Sequence, residues 1–325
     1  MKFTSIPNNG SSWGDELIYA IDTEVDTPSN IVVDIRDISR NVSLGRYRLY
    51  GVITAEINIS PYLRSLENLE IKTSTTATSY ISPASRTIGV MINGYPSDER
   101  TFFRAPLDYD KSHTLSEITA NQTISLGDAI RLTAFAKEDL VVTINKYSSN
   151  RLIGSETLRG HTYGNPVEVV IPTSRFRSDT ERIVVTIRAD DGENLQHILY
   201  NVVERGESSR RLMWYNKLGG VECYTFPTSL RTRYKAEMSK SIGIGGVPMD
   251  ICSRERHYRI SSALETPQEM NRIADIVFSP HIYEMLGDDI VEVELTSREV
   301  LFDKHGMLRQ LSLDICETKR GGSVC

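Results

Sequence analysis

The chain has 325 residues, of which 37 are basic and 43 acidic, giving a formal net charge of −6, and 39% are hydrophobic. This length exceeds one ordinary core and suits two or three domains, while the acidic balance argues against a dedicated nucleic-acid binder that works by neutralising phosphates and leaves room for local basic patches. No apolar run is long enough to span a membrane, and residues 1–13 show neither a signal-peptide nor a transit-peptide pattern.

Alternating or β-branched runs predict strands at 31–36, 47–53, 55–59 and 87–92, and again at 130–135 and 140–145. Further strands are predicted at 167–171, 182–188 and 196–203, with turns at Asn93-Gly94 and Asp191-Gly192. The polar, Ser/Thr-rich segment 72–86 reads as a long loop or a boundary inside the first domain, and a break between 105 and 121 places the first domain boundary. Asp190-Asp191-Gly192-Glu193-Asn194 lacks the alternating ligands of a calcium loop and reads as a hairpin turn.

In the final third, Thr266-Pro267-Gln268-Glu269 carries an N-cap, a proline at the first helical position and a glutamate three residues after the cap. Met270, Ile273, Ala274 and Val277 follow at helical spacing, and Pro280 marks a kink or an end. Strands are predicted at 255–261, 290–296 and 308–315. The expected fold is mainly β: N-terminal β-sandwich modules of immunoglobulin or jelly-roll type at 1–115 and 116–206, then an α+β docking and assembly domain at 207–325 with one well-capped helix.

Catalytic signatures are missing. No G-x-S-x-G is present, and His113, His161, His197, His257, His281 and His305 form no H-x-H, H-E-x-x-H or H-x-E pair. Cys223, Cys252, Cys316 and Cys325 share no C-x-x-C spacing and read as reduced, structural thiols. Gly243-Ile244-Gly245-Gly246 lacks the Lys-[ST] of a phosphate loop and reads as a turn, and the N-x-[ST] triplets at Asn41, Asn58 and Asn121 read as chance matches. The expectation is therefore no enzyme, with no catalytic, cofactor-binding or metal-ligating residue.

Charge is unevenly spread. Bases dominate 205–240, through Arg205, Arg210, Arg211, Lys217, Arg231, Arg233, Lys235 and Lys240, whereas 284–303 holds seven acids and one base. Opposite patches on one chain permit head-to-tail contacts between copies, the geometry that closes into rings. The bland reading is two solvated faces.

The stretch Arg210-Arg211-Leu212-Met213-Trp214-Tyr215-Asn216-Lys217-Leu218-Gly219-Gly220-Val221-Glu222-Cys223-Tyr224-Thr225-Phe226 reads as an aromatic strand, a turn and a second strand. It resembles a W-x-N-(R/K)-L-G-G-x-(D/E)-x-(Y/F)-T-F segment in structural virion proteins of Bacteroidetes phages and prophages, crAss-like phages included. Tyr50-Gly51-Val52 through Ala55-Glu56-Ile57-Asn58-Ile59-Ser60-Pro61-Tyr62-Leu63 and the layout after Phe226 resemble the same family. The resemblance implies a tail, baseplate or fibre-attachment component made in the bacterial cytoplasm and carried in the virion. Its partners would be other tail proteins and copies of itself, with no nucleic acid as primary partner, no membrane insertion and glycan contact left open. It implies no catalytic residue. The rival reading is a cell-surface adhesin or carbohydrate-binding β-sandwich module. The candidate interface residues are Trp214, Tyr215, Arg231, Arg233, Lys235, Glu292 and Glu294, with Trp214 and Phe226 equally suited to plugging a core.

Overall fold

The computed structural model describes residues 1–64, 71, 74–118, 121–162, 164–206, 208–242, 248–286, 289–317 and 323–324, without side chains at 228, 230, 236–242, 248–254 and 323–324. Gly243-Ile244-Gly245-Gly246 and most of the C-terminal tail therefore lie outside the described residues.

The N-terminal stretch runs β1 (Lys2–Ser5), β2 (Ile18–Asp22), β3 (Ser29–Asp37), β4 (Val42–Val52), β5 (Thr54–Asn58) and the short helix α1 (Ser60–Arg64). It continues with β6 (Thr78–Ile81), β7 (Ser85–Ile92), β8 (Tyr95–Pro96) and β9 (Arg100–Phe103). Strand period decides what is buried: Ile31, Val33 and Ile35 of β3 point inward with Ile88, Val90 and Ile92 of β7, and they meet Tyr19, Ile21 and Ile57 across the core. One sheet is β1-β2-β5 and the other β4-β3-β7-β8, with β9 also on β7, so this unit is a sandwich. Asn93 and Gly94, both at positive φ, make the β7–β8 turn as expected.

The second unit comprises β10 (His113–Thr114), β11 (Gln122–Ile124), β12 (Ala129–Phe135), β13 (Leu140–Ser148), β14 (Arg151–Gly160), β15 (Val167–Pro172), β16 (Arg182–Ala189) and β17 (Asn194–Val202). Its sheets, β10-β12-β15-β6 and β11-β17-β16-β13-β14, close over one core that includes Leu132, Val142, Val169, Val185 and Ile198. Pairs are antiparallel except β11 with β17. Residues 74–86 are thus not one long loop, the first of the two readings of this segment, but carry strands of both sandwiches. Thr78–Ile81 adds an edge strand to β15, and Ser85 already begins β7. Because β6 lies before position 115 yet completes the second sandwich, the two sandwiches interleave along the chain.

The last unit contains β18 (Arg210–Tyr215), β19 (Val221–Phe226), β20 (Thr228–Ile242), β21 (Pro248–Ser261), α2 (Pro267–Ala274), β22 (Ile282–Leu286), β23 (Asp289–Leu295), β24 (Leu301–His305), β25 (Leu308–Glu317) and β26 (Ser323–Val324). They form one antiparallel sheet in the order β19-β18-β22-β23-β25-β21-β20, with β24 on β25 and β26 on β21. α2 starts as the cap signal predicts: Thr266 Oγ1 accepts the Glu269 N–H at 3.3 Å, and Pro267 needs no partner for its nitrogen. Its Met270 and Ile273, with Ile276 and Val277 of the following 3-10 turn, cover one face of this sheet. The protein is mainly β, built from several antiparallel sheets with one short helix near the C-terminus.

Candidate functional site

Trp214 and Tyr215 are not surface residues. Trp214 is 0% and Tyr215 1% exposed, which corrects their assignment to an interface with other chains. Adjacent strand residues face opposite sides. Trp214 therefore packs with Leu212, Tyr224, Phe226 and Met270 under α2, and Tyr215 packs with Met213, Val221, Cys223 and Met285 on the other side, against Ala129 of the second sandwich. The aromatic pattern signalled burial correctly. It carried no information about whose surface does the burying.

The turn between β18 and β19 is an internal joint. Asn216, 2% exposed, donates from Nδ2 to the Leu115 carbonyl at 2.6 Å and to Glu222 Oε1 at 2.7 Å, while its Oδ1 accepts the N–H groups of Leu218 (3.0 Å) and Gly220 (2.9 Å). Glu222 also accepts the N–H groups of Glu117 and Ile118. Ser116 Oγ donates to the Val221 carbonyl at 2.5 Å, and Thr133 Oγ1 accepts the Val221 N–H at 3.0 Å. A side chain on Gly220 would place Cβ 2.1 Å from the Leu115 oxygen, and one on Gly219, at φ +83°, would place it 2.8 Å from Ala84 Cβ. Ala84 comes from the first unit and Leu115 from the edge of the second, so all three units meet at this turn. Burial pushes the Glu222 carboxyl up to about 8, its N–H donors pulling the other way.

The charged candidates lie elsewhere on the same sheet. Arg231, Arg233 and Lys235 are exposed on β20, the last strand in the sheet order. Glu294 is exposed on β23, and Glu292 bonds His281 Nδ1 at 3.0 Å within the chain. Strand register places Arg233, His257, Cys316 and Glu294 in one row across β20, β21, β25 and β23. The basic and acidic patches thus share one sheet face. Three spacings of about 4.8 Å put Arg233 and Glu294 roughly 14 Å apart, beyond a Debye length at 0.1 M salt. Part of the expected complementarity is met inside the chain, where Arg210 pairs with the buried Glu284 at 3.0 Å.

Between the patches lies a cleft of about 210 Å³ lined by Arg231, Arg233, His257, Tyr258, Arg259, Thr296 and Asp314. Beside it, His257 Nε2 lies 3.2 Å from Glu255 Oε2 and 3.8 Å from Cys316 Sγ, and His257 Nδ1 is 3.5 Å from Thr296 Oγ1. Burial, with Glu255, Glu294 and Glu317 nearby, raises the half-buried Cys316 thiol above its ordinary value. This is not a nucleophile relay, which would set thiol and acid on opposite ring nitrogens. Sequence reasoning missed the grouping because His257 and Cys316 are far apart in the chain, and only the β21–β25 register makes them neighbours.

No family model and no curated protein matches this sequence. Among solved structures, fibronectin(III)-like modules of Clostridium thermocellum CbhA align at 11% identity over 63% of this chain and 93% of that one, with a TM-score of 0.18. The complex of Dpr2 Ig1-Ig2 with DIP-Theta Ig1-Ig3 aligns at 10% identity over 98% of this chain and 90% of that one, with a TM-score of 0.19. At such scores the likeness carries no argument, and the description of the fold rests on the sheets themselves.

Proposed function

We propose that the chain is a structural component of a phage or phage-derived tail, a baseplate, tail-adaptor or fibre-attachment protein that works by assembling with copies of itself and with other virion proteins. The observation that carries this reading is the outer edge of β20. This strand has 15 residues, pairs with β21 on one side, and stands at the end of the sheet order on the other, with no described strand beyond it. The exposed Arg231, Arg233, Tyr234 and Lys235 line it. An edge strand that long is a template for strand addition, and its bases select an acidic partner while opposing non-specific pairing. The buried joint at Asn216 supports the same reading, since it holds the edge in a fixed relation to both sandwiches, as a subunit of a symmetric assembly requires. The likeness of residues 210–226 to virion proteins supports a tail setting. Native mass spectrometry and cryo-electron microscopy of the full chain test this. Closed oligomers are expected, weakened by salt and lost in an Arg231→Glu, Arg233→Glu, Lys235→Glu variant that still folds. A strict monomer at every concentration overturns the proposal.

A further inference from the structure

We propose that Glu255, His257 and Cys316 form a binding site for a transition-metal cation of the zinc class. The inference stands apart from the assembly reading and rests on geometry alone. The three donor atoms lie within 4.8 Å of one another. A tetrahedral site with bonds of about 2.0–2.3 Å separates its donors by about 3.3–3.6 Å. The distances here, 3.2 Å from carboxylate oxygen to imidazole nitrogen and 3.8 Å from sulfur to the same nitrogen, bracket that range before any ion draws them together. Both partners converge on Nε2, the arrangement of ligands about a common centre. Nδ1 is left facing Thr296 Oγ1 at 3.5 Å, in position to fix the ring.

The scaffold also suits a metal. His257 and Cys316 are direct partners on β21 and β25, and Glu255 sits two residues before His257 on the same face, so sheet register rather than a loop sets the spacing. Thiolate, imidazole and carboxylate together select zinc, cobalt or a similar ion over magnesium and calcium, which take oxygen donors. Binding converts the Cys316 thiol to a thiolate: its proton goes to solvent and the freed electron pair forms the sulfur–metal bond. The cation then takes the place of Lys235, whose Nζ is 3.9 Å from Glu255 Oε2. Water fills the fourth position, and Glu294, the strand partner of Cys316, is the nearest acid in the row to accept a hydrogen bond from it. The ion would staple β21 to β25 near the base of the long β20–β21 hairpin.

The full chain, reduced and metal-free, is titrated with cobalt(II) chloride and followed by absorption. One equivalent is expected to give intense visible bands of tetrahedral cobalt and a near-ultraviolet thiolate-to-cobalt band, both erased by stoichiometric zinc. Cys316→Ser should abolish the near-ultraviolet band and His257→Ala should weaken binding at least tenfold, while each variant unfolds like the parent in metal-free buffer. A Cys252→Ser, Cys325→Ser variant, which keeps Cys316, should retain every band. Weak octahedral spectra, or a thiolate band that survives Cys316→Ser, overturn the proposal.

Discussion

Replacing Asn216 by alanine tests whether the β18–β19 turn joins the units or merely reverses the chain. The amide is buried and makes four hydrogen bonds, two donated and two accepted. Alanine leaves the Leu115 carbonyl and the Gly220 N–H without those partners and removes one donor from Glu222, while the half-buried Leu218 N–H can turn to water. At about 1–3 kcal/mol for each buried group left unsatisfied, the loss is roughly 3–6 kcal/mol, against about 5–15 kcal/mol for a whole domain. The two tryptophans provide the assay, since Trp13 is buried in the first sandwich and Trp214 under α2. In a Trp13→Phe background, urea unfolding followed by fluorescence should show the Trp214 transition moving to markedly lower denaturant. Asn216→Asp decides between the two roles. Aspartate keeps an acceptor for both N–H groups, so a simple turn would be rescued, but it sets a carboxylate oxygen against the Leu115 carbonyl oxygen in place of a donor, so a joint would be damaged at least as badly as by alanine. Rescue by aspartate, or a loss below about 1 kcal/mol, would refute the reasoning.

Gly220→Ala should be more disruptive than an ordinary glycine replacement, because its Cβ would fall 2.1 Å from the Leu115 oxygen, and limited proteolysis should then cut between the second and third units. The Glu222 carboxyl, raised from 4.5 to about 8, holds its proton in the folded state over a range where the unfolded chain has released it. Its contribution is therefore full below pH 4.5 and is lost as pH rises through about 8, a decline on the order of a few kcal/mol. Denaturation at a series of pH values should show this slope, and Glu222→Gln should flatten it. Thr266→Ala should cost about 1 kcal/mol by removing the α2 cap, visible as a lower thermal midpoint, with Thr266→Ser recovering most of it.

What could be read from the chain divides along physical lines. β3 and β13 were legible because buried residues alternate with less buried ones, β7 because of its β-branched and apolar run although both of its faces are covered, and α2 because its cap, proline and apolar spacing all agree. β14 was not: Arg151–Gly160 is an edge strand, largely exposed, with no alternation to betray it. β6 hid in a Ser/Thr-rich segment for the same reason, as an edge strand whose place comes from β15 and not from its own apolar content. The 210–226 segment showed its two strands and its turn, but whether Trp214 meets its own chain or another is a property of tertiary assembly. The Glu255, His257 and Cys316 grouping depends wholly on strand pairing, which local patterns do not encode.

The interleaving of the sandwiches bears on how the protein is made. Ile81 pairs with Val167 and Thr78 with Val170, so β6 leaves the ribosome more than eighty residues before its partner exists. At 5–20 residues per second that is a wait of roughly 4–18 s. A strongly apolar strand exposed for so long would aggregate, and the Ser/Thr-rich composition around β6 keeps the waiting segment soluble. The second sandwich closes only when the nascent chain returns to this segment. Until then the β15 of a neighbouring copy offers the same register, so at high expression strand exchange between chains competes with correct closure at this step.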